Sequence, residues 1–291
     1  MPRWDGPYPT HAMENLTAAE LVRYSVALGG RGLVRGGGSE AARRVWMPLD
    51  IDRVAELPWT GRMVMAAAPT DVLDLASPKL LALWLAHHTP ATVVATDLWP
   101  TEVERWRRLV RAVDPSNQRY RRLTLETADG TALPYEDERF DVAYSVSVIE
   151  HIPGSGDEQA MSELARVLRP GGLLILTFPF RKRLEEEWVE RDVYGEKYRG
   201  EPLFFCRHYS SDAVRERLIA DRPFDIVEQR LWRKEGVPET QARVHKIIPS
   251  GWPIGHLLGP VLPLLGKRAM RVGAVEDPGP DNVLGVALRR R

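Results

Sequence analysis

The stretch DVLDLASPKLLALWLAHHTPATVVATDLWP, residues 71–100, decides how the rest of the chain is read. Val72-Leu73-Asp74-Leu75 is a short apolar run of the kind that forms a buried parallel strand. Ala76-Ser77-Pro78-Lys79 is a tight loop, and Leu80 to Ala86 is too rich in Leu and Ala to be a surface connection. A β-branched run, Thr92 to Thr96, ends on Asp97. Strand, loop, helix and strand within about thirty residues make a βαβ unit. In such a unit the loop after the first strand faces the ligand crevice, and the helix N-terminus brings unpaired N–H groups to it. An acid that ends the second strand stands where a ribose hydroxyl can reach it.

Bulk properties narrow the class. The chain has 291 residues, 44% of them apolar, which is enough for a sizeable core. Forty basic residues balance forty acidic ones, so no net basic surface for nucleic acid is expected. A single cysteine, Cys206, excludes an intrachain disulfide and a cysteine-rich zinc site. The start, MPRWDGPYPTHAMEN, has no apolar core of signal-peptide type, and no uninterrupted apolar span reaches membrane length. A cytoplasmic protein without a transmembrane segment is the expectation.

Outward from the βαβ unit, residues 1–66 read as an N-terminal arm and helical lead-in, and 67–291 as the main domain. Residues 1–16 should be a mobile arm. Thr17-Ala18-Ala19-Glu20 fits a capping box, with a helix to about Leu28 that Gly29, Gly30 and Gly32 should end. Gly36-Gly37-Gly38 follows no strand and precedes no Lys-Ser/Thr, so it reads as a flexible hinge and not a phosphate cradle. Residues 40–60 continue the lead-in, with Trp46 and Trp59 expected to pack on the main domain. His87 and His88 should end their helix as partners of its dipole. A helix from Thr101 to Val113, with Thr101 as its cap, shows a solvated face of Arg105, Arg107, Arg108 and Arg111. Strands are expected at 122–126, 140–145 and 173–178, with a helix-forming stretch from Val148 and a helix over 159–168. Arg169-Pro170-Gly171-Gly172 is a stop-and-turn signal. Residues 181–207 are charged and aromatic, too long for a plain connection, and read as a lid. Ser210 or Ser211 should cap a helix to Ala220. Strands at 224–232 and 282–288 bracket an insertion, 234–280.

In order and spacing these pieces resemble the class I S-adenosylmethionine-dependent methyltransferases, in the branch called type-11 domains. The carrying residues are VLDLASPK at 72–79, VVATD at 93–97, ADGTALPYEDERFD at 128–141, YSVSVIEHI at 144–152 and LARVLRPGGLLILTFP at 164–179. The resemblance covers about residues 70–232, and the final strand adds the family's antiparallel hairpin. It implies an α/β, Rossmann-like fold: a seven-stranded, mostly parallel sheet with helices on both faces. The implied cofactor is S-adenosyl-L-methionine.

The resemblance assigns the cofactor site residue by residue. Asp97 would accept the ribose hydroxyls, with Leu98 beside it. Asp129 would accept from the adenine amino group, with Gly130 and Thr131 offering backbone donors. Asp74 would meet the methionine amino group or organise the loop, and Ser145 and Val146 would line the sulfonium. Each acid has a plainer reading: Asp97 as a helix cap, Asp129 as a turn residue before glycine. One departure stands out. The family's first loop is rich in glycine because the backbone approaches the ligand closely. Here it is Ala76, Ser77, Pro78 and Lys79. The small residues still permit close approach, and Pro78 suits a first helical turn.

On the acceptor side, Glu150-His151 follows the fourth strand. A neutral His suits deprotonation near neutral pH, so His151 is the candidate base; it can equally shape the substrate pocket or serve structure. Tyr194, Tyr198, His208 and Tyr209 are candidate acceptor-binding groups. Asp50, Asp52, Asp137 and Asp141 make no metal pattern, so no metal is expected. IIPSGWPIGHLLGPVLPLLG, 247–266, is apolar but too rich in proline for a regular helix. It can cap the core, form a homodimer contact or pocket wall, or touch a membrane surface or lipid. The expected function is methyl transfer to a small-molecule O- or N-acceptor, a hydrophobic one among the candidates, with no nucleic-acid partner. The alternatives are a non-catalytic protein that keeps the fold, given the missing glycines, and a nicotinamide-dependent oxidoreductase. The last is disfavoured by the lack of GxGxxG and by the terminal strand pair.

Overall fold

The computed structural model describes residues 16–193, 196–234 and 262–291. Residues 1–15 of the expected arm over 1–16, Tyr194, and residues 235–261 of the insertion, with Trp252, lie outside the described residues. Leu16, expected in the mobile arm, is instead fully buried in the core.

Three helices lead in: α1 (Ala18–Val34), α2 (Gly38–Trp46) and α3 (Arg53–Ala66). The capping box forms as read, with Thr17 N–H donating to Glu20 Oε2 at 2.8 Å and Glu20 N–H to Thr17 Oγ1 at 3.3 Å. The helix does not stop at its glycines. It runs through them to Val34, because they serve packing instead of termination. A Cβ on Gly29 would lie 2.6 Å from the Ala41 carbonyl oxygen, and one on Gly32 would lie 2.5 Å from Leu109 Cδ1. Gly36 and Gly38, at φ 77° and 74°, make a defined turn directly into α2 where a hinge was expected.

The βαβ unit forms as read: β1 (Asp71–Leu75), α4 (Leu80–His88) and β2 (Thr92–Asp97), with Leu75 opposite Thr96 in a parallel pair. Then come α5 (Pro100–Val113), β3 (Leu123–Thr127) and β4 (Phe140–Val146). Helix α5 starts at Pro100 with Trp99 in the cap position, not Thr101; proline fits the first turn, where its missing N–H has no intrahelical partner. The helix expected from Val148 is a single 3₁₀ turn, Ile149–His151. Helix α6 (Gly156–Val167) hands over directly to β5 (Leu168–Phe180). The Arg169–Gly172 stop signal is a bulge inside β5, where the register jumps from Phe140 opposite Leu168 to Val142 opposite Leu173.

The lid stretch holds an antiparallel ribbon, β6 (Glu185–Val189) with β7 (Leu203–His208). Ser210 caps the next turn by accepting from Ala213 N–H, and α7 (Ser211–Ala213) continues as the π-helical segment Val214–Ile219. Last come β8 (Phe224–Lys234), α8 (Leu262–Ala269), β9 (Met270–Gly273) and β10 (Asn282–Arg290).

The main sheet has eight strands in the order β3-β2-β1-β4-β5-β10-β8-β9, with β10 antiparallel to both β5 and β8. The expected antiparallel hairpin is there. The strand beyond the expected seven is β9, which the insertion contributes at the edge. The chain runs outward from β1 to β3 and then returns to β4, so the order reverses between β1 and β4. Open α/β sheets bind ligands at the carboxyl ends of the strands at such a point.

Apolar side chains fill both faces. Leu21, Leu57, Leu81 and Leu109 from α1, α3, α4 and α5 pack with Val72 and Val93 on one face. Met161 and Leu164 of α6 pack with Leu73, Leu176 and Tyr209 on the other. The lead-in helices therefore share the domain's own core. Trp59 is buried in it, whereas Trp46 is 45% exposed. Burial, with His88 adjacent, pushes the His87 pKa down to about 4. His87 is thus uncharged at neutral pH and is no cationic partner for the helix dipole. No helix among the described residues is long and apolar enough to cross a membrane.

Candidate functional site

The loop after β1 is tied down on every side. Asp74 Oδ1 accepts from Ser77 N–H at 2.9 Å. Ser77 Oγ accepts from Val146 N–H at 2.9 Å, and Ser145 Oγ donates to the Leu75 carbonyl at 3.1 Å, so the end of β4 is bonded to the loop. Thr96 Oγ1 donates to the Asp74 carbonyl at 3.1 Å, which joins β2 to the same point. Lys79 is buried; its Nζ donates to the Ser77 carbonyl at 2.5 Å and lies 3.6 Å from Asp74 Oδ1. Burial raises the Asp74 pKa, against the pull of Lys79 and the Ser77 hydrogen bonds. Ala76 has φ +53°, in the left-handed region that glycine enters freely. Position 76 thus keeps the backbone conformation a glycine would provide, although the residue is alanine. Pro78 is half-buried at the entry to α4.

Two carboxylates stand at the ends of the next strands. Asp97 is half-buried; its Oδ1 accepts from Trp99 N–H at 3.0 Å, and its carbonyl accepts from Ala128 N–H at 3.0 Å. Leu98 beside it is exposed. Asp129 is exposed, and its Oδ1 accepts from Thr131 N–H at 2.8 Å and Thr131 Oγ1 at 2.7 Å. A Cβ on Gly130 would lie 3.1 Å from Leu75 Cδ1, so β1 and the loop after β3 are in contact. Both acids therefore also fill the plainer roles, Asp97 bonding the backbone ahead of α5 and Asp129 closing a turn. A carboxylate has lone pairs for several donors, so these bonds leave capacity for a ligand.

Beyond Val146 the chain enters a buried charged cluster that the sequence did not reveal. Ser147, at φ +50°, accepts from Arg53 Nη1 at 2.7 Å and donates to Glu56 Oε1 at 2.6 Å. Thr177 Oγ1 donates to the same Glu56 oxygen at 2.8 Å, and Arg53 pairs with Glu56. Glu150 is fully buried, and its pKa is pushed up to about 8 by burial and by Glu56, against the opposing pull of its own backbone N–H and Arg53. Arg53 and Glu56 sit one helical turn apart among apolar neighbours, and only the packing of α3 on the sheet brings them to the ends of β4 and β5.

His151 sits in the turn after β4, with Nδ1 2.7 Å from the Phe205 carbonyl and Nε2 3.7 Å from Glu150 Oε1. A carbonyl only accepts, so Nδ1 carries the hydrogen of the neutral ring and Nε2 the lone pair. Burial lowers the His151 pKa, which keeps the ring neutral near pH 7. The remaining acceptor-side candidates separate. His208 is on β7, with Nε2 3.3 Å from Glu187 Oε2. Tyr209 is fully buried, donates to Asp157 Oδ2 at 2.8 Å and packs edge-on against Phe178, so it serves the second core and not a pocket. Tyr198 is half-buried on the ribbon tip, with its N–H on Asp192. An open groove of about 730 Å³ lies at the foot of the ribbon, lined by Arg181, Lys182, Glu185 and residues 277–280, with neither Asp97 nor Asp129 in its lining.

Residues 73–176 match the family model described as "Methyltransferase domain". "Methyltransferase GfsG" of Streptomyces halstedii is 37% identical over 95 residues, 33% of this chain and 32% of that protein. "Demethylmenaquinone methyltransferase" of Thermus thermophilus is 38% identical over 132 residues, 43% of this chain and 56% of that protein. The chain thus spans about a third and just over half of these two relatives. A crystal structure described as a putative sarcosine dimethylglycine methyltransferase from Galdieria sulphuraria superposes with a TM-score of 0.51 at 15% identity, over 80% of this chain and 84% of that one. That likeness concerns the fold. With the motifs quoted above in place on that fold, residues 73–176 are similar to the methyltransferase-domain family.

Proposed function

We propose that this chain binds S-adenosylmethionine across the carboxyl ends of β1 to β4 and transfers its methyl group to an oxygen or nitrogen of a small molecule. The observation that carries the reading is the meeting of four elements at one place. The Ala76–Lys79 loop is bonded to Ser145 and Val146, Asp97 ends the adjacent β2, and Asp129 follows the end of β3, whose loop touches Leu75 through Gly130. The donor set suits the cofactor: small loop residues for close approach, one carboxylate for ribose hydroxyls and one for an adenine amino group. Both curated relatives carry methyltransferase names, which supports the same chemistry here.

The chemistry such a cofactor supplies is a methyl group already activated on a sulfonium and passed in line to a lone pair of the acceptor. The protein's part is alignment and exclusion of water. Asp97 and Asp129 fix the nucleoside from two strand ends. The loop, held by Ser77 and Ser145, sets the depth of the methionine end. A hydroxyl acceptor must lose its proton; His151 Nε2 is the basic atom at the end of β4, and the Phe205 carbonyl holds its tautomer. An amine acceptor that arrives neutral needs less help.

Titration calorimetry with S-adenosylmethionine and its demethylated product tests binding. A mass-detected screen of hydroxyl and amine acceptors tests turnover. A second reading, a protein that keeps the fold without catalysis, rests on Lys79, whose ammonium already faces Asp74. It predicts little or no heat with S-adenosylmethionine, and a restored signal in Lys79→Ala.

A further inference from the structure

The sequence shows only one cysteine and no metal pattern, yet the lid ribbon assembles one. On β7, Cys206 and His208 are two residues apart and so project from the same face of the strand. Across the ribbon, Glu187 of β6 is the register partner of Cys206, which places its side chain on that face as well. Cys206 Sγ lies 3.7 Å from His208 Nε2 and 3.7 Å from Glu187 Oε2, and His208 Nε2 lies 3.3 Å from Glu187 Oε2.

Those three separations have a specific size. A tetrahedral zinc ion takes sulfur at about 2.3 Å, nitrogen at about 2.0–2.1 Å and carboxylate oxygen at about 2.0–2.2 Å. At the tetrahedral angle these bond lengths put sulfur and nitrogen about 3.6 Å apart, sulfur and oxygen about 3.5–3.7 Å, and nitrogen and oxygen about 3.3–3.5 Å. The triangle in the ribbon has those edges. We propose that Glu187, Cys206 and His208 form a tetrahedral site for a thiophilic divalent cation of the zinc class, with its fourth position open to water or a substrate atom.

The surroundings fit a cation. Asp281 and Glu187 face the group with negative charge and Arg181 with positive charge, while Glu150, which burial keeps protonated near neutral pH, adds none. The local balance is negative before the Cys206 proton leaves. Cys206 and His208 are buried, while the Glu187 side chain is 46% exposed, which leaves an entry path from solvent. On binding, the metal–sulfur bond replaces the S–H bond, and the Cys206 proton leaves to solvent. Such a cation would clamp β6 to β7 beside the bulge between Glu187 and Trp188, one residue from the Phe205 carbonyl that orients His151. None of this depends on the cofactor assignment.

The test is a cobalt(II) titration of the metal-stripped full chain. Because Cys206 is the only cysteine, a thiolate-to-cobalt charge-transfer band in the near ultraviolet reports this site alone. The expected result is that band, with tetrahedral visible absorption, saturating at one cobalt per chain and displaced by zinc. Cys206→Ser should abolish the charge-transfer band. His208→Gln and Glu187→Gln should each weaken cobalt binding at least 10-fold, since even outer partners of metal ligands are worth about 10- to 100-fold. If Cys206→Ser does not fold, the wild type decides, because zinc should slow thiol alkylation of Cys206 at least 10-fold. Absence of the band at saturating cobalt, or alkylation unaffected by zinc, would overturn the site.

Discussion

At the residue scale, the cofactor reading turns on Ala76. Its φ of +53° costs an alanine about 1–2 kcal/mol relative to a right-handed conformation. The loop bears that strain because Ser77, Ser145 and Thr96 over-determine its path. A bulky side chain at this half-buried position should project toward the ligand, so Ala76→Leu is expected to weaken S-adenosylmethionine binding at least 10-fold, with the melting temperature little changed. Unchanged affinity would mean that the loop does not approach the cofactor.

Glu150 gives a second residue-scale prediction. Its folded pKa of about 8 exceeds the ordinary 4.5, so between those values the folded state holds the proton that the unfolded state has lost. Stability therefore falls as pH rises through that window, by at most about 1.4 kcal/mol per pH unit. Glu150→Gln should remove this loss, so its stability advantage over the wild type, measured by urea unfolding, should grow from pH 5 to pH 8. A constant difference would show that Glu150 is not held protonated. The strand-end position of Asp97 was legible in the sequence because the β-branched run 92–96 ends on it, whereas Asp129, two residues past β3, was picked out by the Asp-Gly-Thr motif of the family resemblance. The Glu187, Cys206 and His208 group was not, because it needs the register of a ribbon whose strands are thirteen residues apart.

At the element scale, the helices and strands with clear periodicity stand where the pattern puts them, and the misreadings cluster at glycines and prolines. A glycine reads equally as a stop signal or as a contact point, and only the neighbouring helix decides. The difference is measurable on adjacent residues of α1. Gly30→Ala meets nothing within 4 Å and should stabilise by up to about 1 kcal/mol through helix propensity. Gly29→Ala drives a Cβ against the Ala41 carbonyl and should destabilise by about 1–3 kcal/mol. Thermal or urea unfolding of the two variants checks the opposite signs.

The ribbon is anchored at its base, where buried Arg207 pairs with Asp157 at 3.3 Å and donates to the Ile152 and Gly154 carbonyls. Its tip, between Val189 and Leu203, makes no comparable buried pair among the described residues. Replacing residues 191–201 by a short turn should leave cofactor affinity within a few-fold while abolishing turnover of any acceptor found. Loss of cofactor binding and of cooperative unfolding together would show that the tip supports the core instead.

At the scale of the whole molecule, the sheet order sets where chemistry can occur. The reversal between β1 and β4 opens the crevice, and the antiparallel placement of β10 between β5 and β8 closes the far side. That much followed from motif order along the chain. The contribution of α3 did not, because Arg53 and Glu56 reach the ends of β4 and β5 only through tertiary packing. The central claim is that Asp97 holds a ribose at this crevice. Titration calorimetry of S-adenosylmethionine into the wild type and Asp97→Ala tests it most directly. Saturable one-to-one binding is expected for the wild type, with a loss of about 1.5–3 kcal/mol, roughly 10- to 150-fold, in the variant. Equal affinity in the two proteins, with the variant folded, would contradict the claim.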